Sequence, residues 1–200
     1  MRVRRAGDAA LLIETEAPHR LHAAVRELGR PDVVDVVPGA GTVLVTTRPG
    51  TDLGYLGSLL GDLPLPDAYE AGGEPLRVPV VYDGEDLDEV ASITGLSREE
   101  VIERHAGGDY VVAYLGFAPG FGYLSGLDER LQVPRRDSPR TSVPSGSVAI
   151  AGPYGAIYPS SSPGGWRLLG RTTLKPWDPE RDPPSLLRPG VRVRFDRVAR

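Results

Sequence analysis

From Tyr110 onward, apolar stretches of four to six residues alternate with turns rich in glycine and proline. Val111–Leu115, Val148–Ala151, Trp166–Leu169 and Val191–Phe195 are too short for ordinary helices and have the length of buried strands. The interruptions fix the reading. A helix cannot run through such dense Gly/Pro punctuation, whereas a meander of short strands needs it at every reversal. The chain carries 25 glycines and 20 prolines in 200 residues. They are spread among the apolar runs rather than collected in a tail, so they mark turns and not disorder. This half of the sequence is expected to form a mainly-β barrel or sandwich.

The first part has a different texture. Residues 2–14 suggest β structure, with a short apolar run from Ala9 to Ile13. Pro18 opens a helical stretch with Leu21, Val25 and Leu28 on one face and Gly29 as its stop. Val33, Val34, Val36 and Val37 form a β-branched strand. Pro38-Gly39-Ala40-Gly41 then turns into a second strand over residues 42–47. A second helix is expected from Asp52 to Leu60. This order indicates a small α+β domain with both helices on one face of an antiparallel sheet. Pro64-Leu65-Pro66 through Gly72-Gly73 has linker composition, so the domains are placed at 1–73 and 74–200. The second domain opens with a strand, Leu76 to Val81, followed by two short helices. Asp86 is expected to cap the first, which stops at Gly95, and Ser97 with Glu100 forms a capping box for the second. This helix pair resembles a helix-turn-helix. Its second helix carries Glu99, Glu100 and Glu103 against Arg98 and Arg104, an acidic balance that DNA would repel.

Composition removes several classes of chemistry. The formal charge is −4, which leaves no basic excess for nucleic acid. Lys175 is the only lysine and follows Leu174, so neither a P-loop nor a lysine Schiff base is expected. There is no cysteine, hence no disulfide, thiolate metal site or cysteine nucleophile, and no metal is expected. His19, His22 and His105 do not form a His-Glu-x-x-His pair. No stretch approaches the roughly 18 apolar residues of a spanning helix, and no signal-peptide pattern follows Met1. A soluble cytoplasmic protein is expected, with no membrane partner.

Specificity rises sharply after residue 115. Gly116-Phe117-Ala118-Pro119-Gly120-Phe121-Gly122-Tyr123-Leu124 is followed by Pro134-Arg135 and Pro139-Arg140-Thr141. Val143 to Gly152, Ile157-Tyr158-Pro159, Ser162-Pro163-Gly164-Gly165-Trp166 and Gly170-Arg171-Thr172 come next, in order. The set resembles the family of KipI and the 5-oxoprolinase B subunit (PxpB), also called allophanate hydrolase subunit 1 or carboxyltransferase subdomain C/D. The resemblance implies a DCoH-like α+β domain and a cyclophilin-like β-barrel. It also implies pairing with a KipA-like C subunit. With a third chain, the A subunit, the assembly would carry out ATP-dependent opening of the lactam of 5-oxo-L-proline to L-glutamate. Relatives in urea carboxylase or allophanate metabolism, and inhibitors of a sporulation histidine kinase, supply the alternative functions. Ser145, where alanine is usual, and Pro153-Tyr154-Gly155-Ala156 are mild departures.

The motif residues admit two readings each. Phe117, Pro119, Gly120 and Phe121 form either a pocket wall with backbone donors for a small planar amide or a turn with two core rings. Tyr123 is a site candidate because a buried hydroxyl needs a partner. Arg135 and Arg140 suit a carboxylate or phosphate, with Arg136 a weaker candidate, and the plain alternative is solubility or pairing with Asp137. Ser147 and Gly152 allow close approach to a ligand. Gly164, Gly165 and Trp166 form either a partner-binding loop with an aromatic anchor or a hairpin with Trp166 in the core. His105 ends a helix, where a cation is favoured, or moves a proton. His105 and Tyr123 are the catalytic candidates. No self-sufficient nucleophile–base pair is visible, so the isolated chain is expected to be inactive.

Overall fold

The computed structural model describes residues 1–66 and 73–199. The chain divides into two compact units, Met1–Glu70 and Ala71–Arg200. Most of the expected linker, Pro64 to Gly73, falls on residues 67–72, which lie outside the described residues.

The first unit contains β1 (Arg2–Arg5), β2 (Ala10–Glu14), α1 (Pro18–Glu27), β3 (Val33–Pro38), β4 (Thr42–Thr47) and α2 (Leu53–Gly61). The strands form an antiparallel sheet in the order β1-β2-β4-β3. Alternation turns Leu11 and Ile13 of β2 and Val43 and Val45 of β4 to the same face, in register with one another. Leu21 and Val25 of α1 and Leu53, Leu56 and Leu60 of α2 fill that face. Each fully buried aliphatic side chain contributes about 1.5–3 kcal/mol, which is enough to hold two short helices that would not persist alone. Pro18 opens α1, while Asp52 caps α2 by accepting from the N–H groups of Gly54 and Tyr55 at 2.9 and 3.0 Å.

The second unit comprises β5 (Leu76–Val80), α3 (Leu87–Thr94), α4 (Arg98–Ala106), β6 (Tyr110–Leu115), β7 (Gly122–Ser125) and β8 (Arg140–Val143). It continues through β9 (Ser147–Ala151), β10 (Tyr154–Ile157), β11 (Ser162–Gly164), β12 (Arg167–Arg171) and β13 (Arg192–Arg197). Seven strands make one sheet in the order β12-β9-β10-β7-β6-β13-β5, and β8 pairs with β11 separately. Only the β13–β5 pairing in the large sheet is parallel. The sheet curls until its ends nearly meet. Val81 and Arg171 exchange both backbone hydrogen bonds at 2.9 Å, and the Gly84 N–H donates to Leu169 O at 3.0 Å. A Cβ on Gly170 would lie 2.3 Å from Val81 O, and one on Gly84 would lie 2.3 Å from Leu168 O. Two glycines therefore let the edges approach. The result is a mostly-β, nearly closed barrel carrying two helices.

Val78, Val80, Val112, Leu124, Val148, Ile150, Leu169 and Phe195 fill the barrel. Leu87 and Val90 of α3 and Val101 and Ile102 of α4 join the same core. The helix pair is thus buried against the barrel, in keeping with its acidic second helix. Ser97 and Glu100 form the expected capping box, and Gly95 ends α3 in the left-handed conformation. One cap differs. Asp86 stands at the start of α3 but makes no side-chain capping bond, because its carboxylate is engaged across the fold by two arginines.

Candidate functional site

The site begins with β9, which is buried along its whole length. Val148 and Ile150 point into the barrel. Ala149 and Ala151, with Ala156 of β10, face the other way and pack with Phe121, Tyr158, Trp166 and Leu168. Small residues on this second face leave the height that three large rings require. Phe121 sits among them edge to face, 5.3 Å from Tyr158 and 5.6 Å from Trp166 between centroids. Tyr123 lies 5.2 Å from Phe121 and stacks on Tyr114 at 4.4 Å.

These rings enclose a pocket of about 140 Å³. Phe117, Phe121 and Tyr123 come from the turn before β7 and from β7 itself. Tyr158 follows β10, and Arg135 comes from the extended segment before β8. Pro163, Gly164, Gly165 and Trp166 close the far side. Gly164 is required by its neighbour, since a Cβ there would lie 2.3 Å from the Tyr158 hydroxyl. Burial pushes the Tyr158 and Tyr114 phenols up, so both remain neutral.

The arginines separate cleanly. Arg135 is exposed at the pocket, with its guanidinium 5.9 Å from the centre of the Trp166 ring. Among the described residues no carboxylate pairs with it. Arg136 donates through Nη1 to Asp86 at 2.7 Å. Arg140 donates through Nη1 and Nη2 to the same carboxylate at 2.9 and 2.7 Å. Asp86 is 2% exposed and also accepts the Leu168 N–H at 2.7 Å. Burial alone would raise its carboxyl, but the Arg140 and Leu168 hydrogen bonds and the charges of Arg140 and Arg136 hold it below the usual range. Arg140, expected at the ligand, bonds the start of α3, and its partners are Asp86 and Glu85 rather than Asp137.

Other expected site residues support the pocket from outside. Gly120 has φ +76°, and a Cβ there would meet Trp177 Cβ at 2.4 Å. Pro119 belongs to the same turn without lining the pocket. The Ser147 hydroxyl is buried and donates to Pro144 O at 2.8 Å. Gly152, at φ +52°, turns β9 into β10. The structure also revises two assignments. Trp166 is 5% exposed within the aromatic cluster, so it is a pocket wall and not a projecting anchor. His105 is fully buried in the barrel core, where Nδ1 lies 2.8 Å from the Tyr82 hydroxyl and Nε2 has no partner. Desolvation lowers its pKa to about 3, so it is neutral and does not serve as the cation at the end of α4. It does not line the pocket. Sequence reasoning misses Tyr158 and Pro163 as site residues, although both stand in motifs the sequence displays. Among the described residues no cluster of three His, Cys, Asp or Glu side chains could hold a metal, and no helix is long and apolar enough to cross a membrane.

The fold is a nearly closed, mostly-β barrel with two helices and an aromatic pocket on its outer sheet face. Residues 1–187 match the family model "Carboxyltransferase domain, subdomain C and D", and the chain belongs to that family. More particularly, it is 42% identical to the 5-oxoprolinase B subunit of Escherichia coli O157:H7, over 94% of this chain and 92% of that protein. It is 51% identical to the 5-oxoprolinase B subunit of Bacillus subtilis, over 66% of this chain and 56% of the relative. The crystal structure of TTHA0988 superposes with a TM-score of 0.80 at 40% identity, covering 100% of this chain. This chain spans only 41% of that one, so in TTHA0988 the equivalent module is part of a longer polypeptide.

Proposed function

We propose that this chain is the B subunit of a 5-oxoprolinase that opens 5-oxo-L-proline to L-glutamate with ATP, in assembly with a KipA-like C subunit and an A subunit. The family membership supports the assignment, and one observation favours a site for it: Arg135, with no carboxylate partner among the described residues, stands at a small aromatic pocket. A volume of about 140 Å³ is well below the roughly 300–1,000 Å³ of pockets for larger ligands. It suits a compact planar lactam lying against Phe121 and Tyr123, with its carboxylate read by the Arg135 guanidinium. The neutral phenol of Tyr158 is available as a hydrogen-bond donor at the pocket wall.

In this reading ATP is used by the assembled complex, and this sequence displays no P-loop of its own. In the same reading the chain is cytoplasmic and inactive when isolated, since its sequence displays no self-sufficient nucleophile–base pair, and the buried position of His105 against Tyr82 is consistent with this. The finer fold likenesses belong to the same reading: cyclophilin-like for the barrel and DCoH-like for the first unit. Reconstitution tests it. The three-chain mixture should convert 5-oxo-L-proline to L-glutamate with ATP hydrolysis, and omission of any one chain should abolish turnover. Turnover by this chain alone, or full activity without it, would overturn the proposal.

A further inference from the structure

Phe117 is the only non-glycine residue with positive φ among the described residues, at +66°. The Ala118 N–H donates to Gly116 O at 2.7 Å, which closes a three-residue turn centred on Phe117. With φ positive, this is the rarer and more strained form of γ-turn. Glycine would occupy it without penalty. Phe117 is also 64% exposed to water. Its ring meets Phe121 edge to face at 5.2 Å between centroids and lines the pocket. Two unfavourable features thus coincide at one residue, and neither is relieved within the chain. Strained backbone of this kind persists where it presents a side chain for use, and an exposed aromatic ring gains stability only when something covers it.

We infer that Phe117 is the anchor by which the KipA-like partner seats on the barrel, inserting its ring into an apolar socket of that chain and roofing the pocket. The inference rests on the reading that the chain works in a hetero-oligomeric assembly. Phe117 lines a pocket of only about 140 Å³ and is 64% exposed, so a ligand held there would leave much of it open and a larger surface is needed to cover it. In TTHA0988 the equivalent module is covalently part of a chain of which this one spans 41%. The neighbouring ring, Trp166, is already packed and has little area left to give. Aromatic anchors of this type dominate interface energies.

The test uses the full chain and its co-expressed KipA-like partner. Partner affinity and the chain's own melting temperature are measured for wild type, Phe117→Ala and Phe117→Gly. Both substitutions should weaken association by about thirtyfold or more. Phe117→Gly should melt at or above wild type, because it relieves the turn. A glycine variant that melts well below wild type would place the ring in the fold. An unchanged partner affinity with a raised KM for 5-oxo-L-proline would make it a ligand lid, and an unchanged affinity with an unchanged KM would give it no role in either. Each of those results overturns the inference. An assembly that dissociates as expected on substitution but never turns over 5-oxo-L-proline would overturn the functional reading and leave this one standing.

Discussion

Two aromatic clusters share the second unit, and their fates differ. Inside the barrel, His105 lies against Tyr82, Tyr110 and Phe195, with ring centroids 4.6–5.6 Å apart. Its polar atoms are satisfied internally or sealed from water, as when the Tyr110 hydroxyl donates to His105 O at 3.0 Å. On the outer face Phe121, Tyr123, Tyr158 and Trp166 pack just as closely, yet they leave a pocket with the Arg135 guanidinium at its edge. Similar residues at similar distances serve stability in one place and recognition in the other. What separates them is access. Water is excluded from the first cluster, which forces its histidine to be neutral, and admitted to the second, which keeps a charge available.

The comparison can be broken most forcefully at Trp166, which belongs to the outer cluster but is packed like an inner residue. Trp166→Ala should cost about 3–5 kcal/mol of stability in denaturant titrations. A loss below about 1 kcal/mol would mean that the outer cluster is loosely assembled. The inner cluster is tested by pH. The unfolded histidine titrates near its ordinary 6.5, whereas folded His105 titrates at about 3. Between these values the unfolded chain binds more protons, so the contribution of neutral His105 is complete above pH 6.5 and is lost as pH falls toward 3. The slope should be about 1.4 kcal/mol per pH unit. A His105→Gln variant should lack this component, and identical slopes in both proteins would place water beside the ring. Arg135→Ala should have the smallest effect on stability, within about 0.5 kcal/mol. It should nonetheless raise the KM of the reconstituted enzyme for 5-oxo-L-proline by about tenfold or more, with kcat changed much less. A large stability loss would show that the guanidinium is a structural group like that of Arg140.

Local signals are the legible ones. The valine-rich strands of the first unit, the turn at residues 38–41 and the Ser97/Glu100 capping box each depend on neighbours within a few residues, and each stands where the sequence places it. The ordered motifs also bring Phe117, Phe121, Tyr123, Arg135, Gly164, Gly165 and Trp166 to one pocket. Sequence cannot separate them from Gly120, Ser147 and Gly152. A glycine that yields to Trp177 or turns a hairpin resembles one that yields to a ligand. Asp86 shows the same limit. Its position before a helix has the pattern of a cap, but Arg136 and Arg140 lie 50 and 54 residues away, and only the closed barrel makes those bonds better than the local one. His105 defeats sequence reasoning for a related reason, since a helix end can be wet or buried and only the surrounding strands decide.

The pairing of β13 with β5 has a consequence for how the molecule comes into being. Val193 sits beside Leu76 and Arg197 beside Val80, so the first strand of the unit is held by its last. During synthesis β5 must wait without a strand partner while more than a hundred intervening residues emerge, because its neighbour is encoded at residues 192–197. The ladder that bonds them is long-range and parallel, a kind of pairing that forms slowly. The early strand therefore passes through a period in which a sticky edge is open to other nascent chains. Pro79, which carries no N–H to offer a neighbour, lies within that strand. It makes β5 a poorer template for strangers during the interval and leaves the later parallel register with β13 intact.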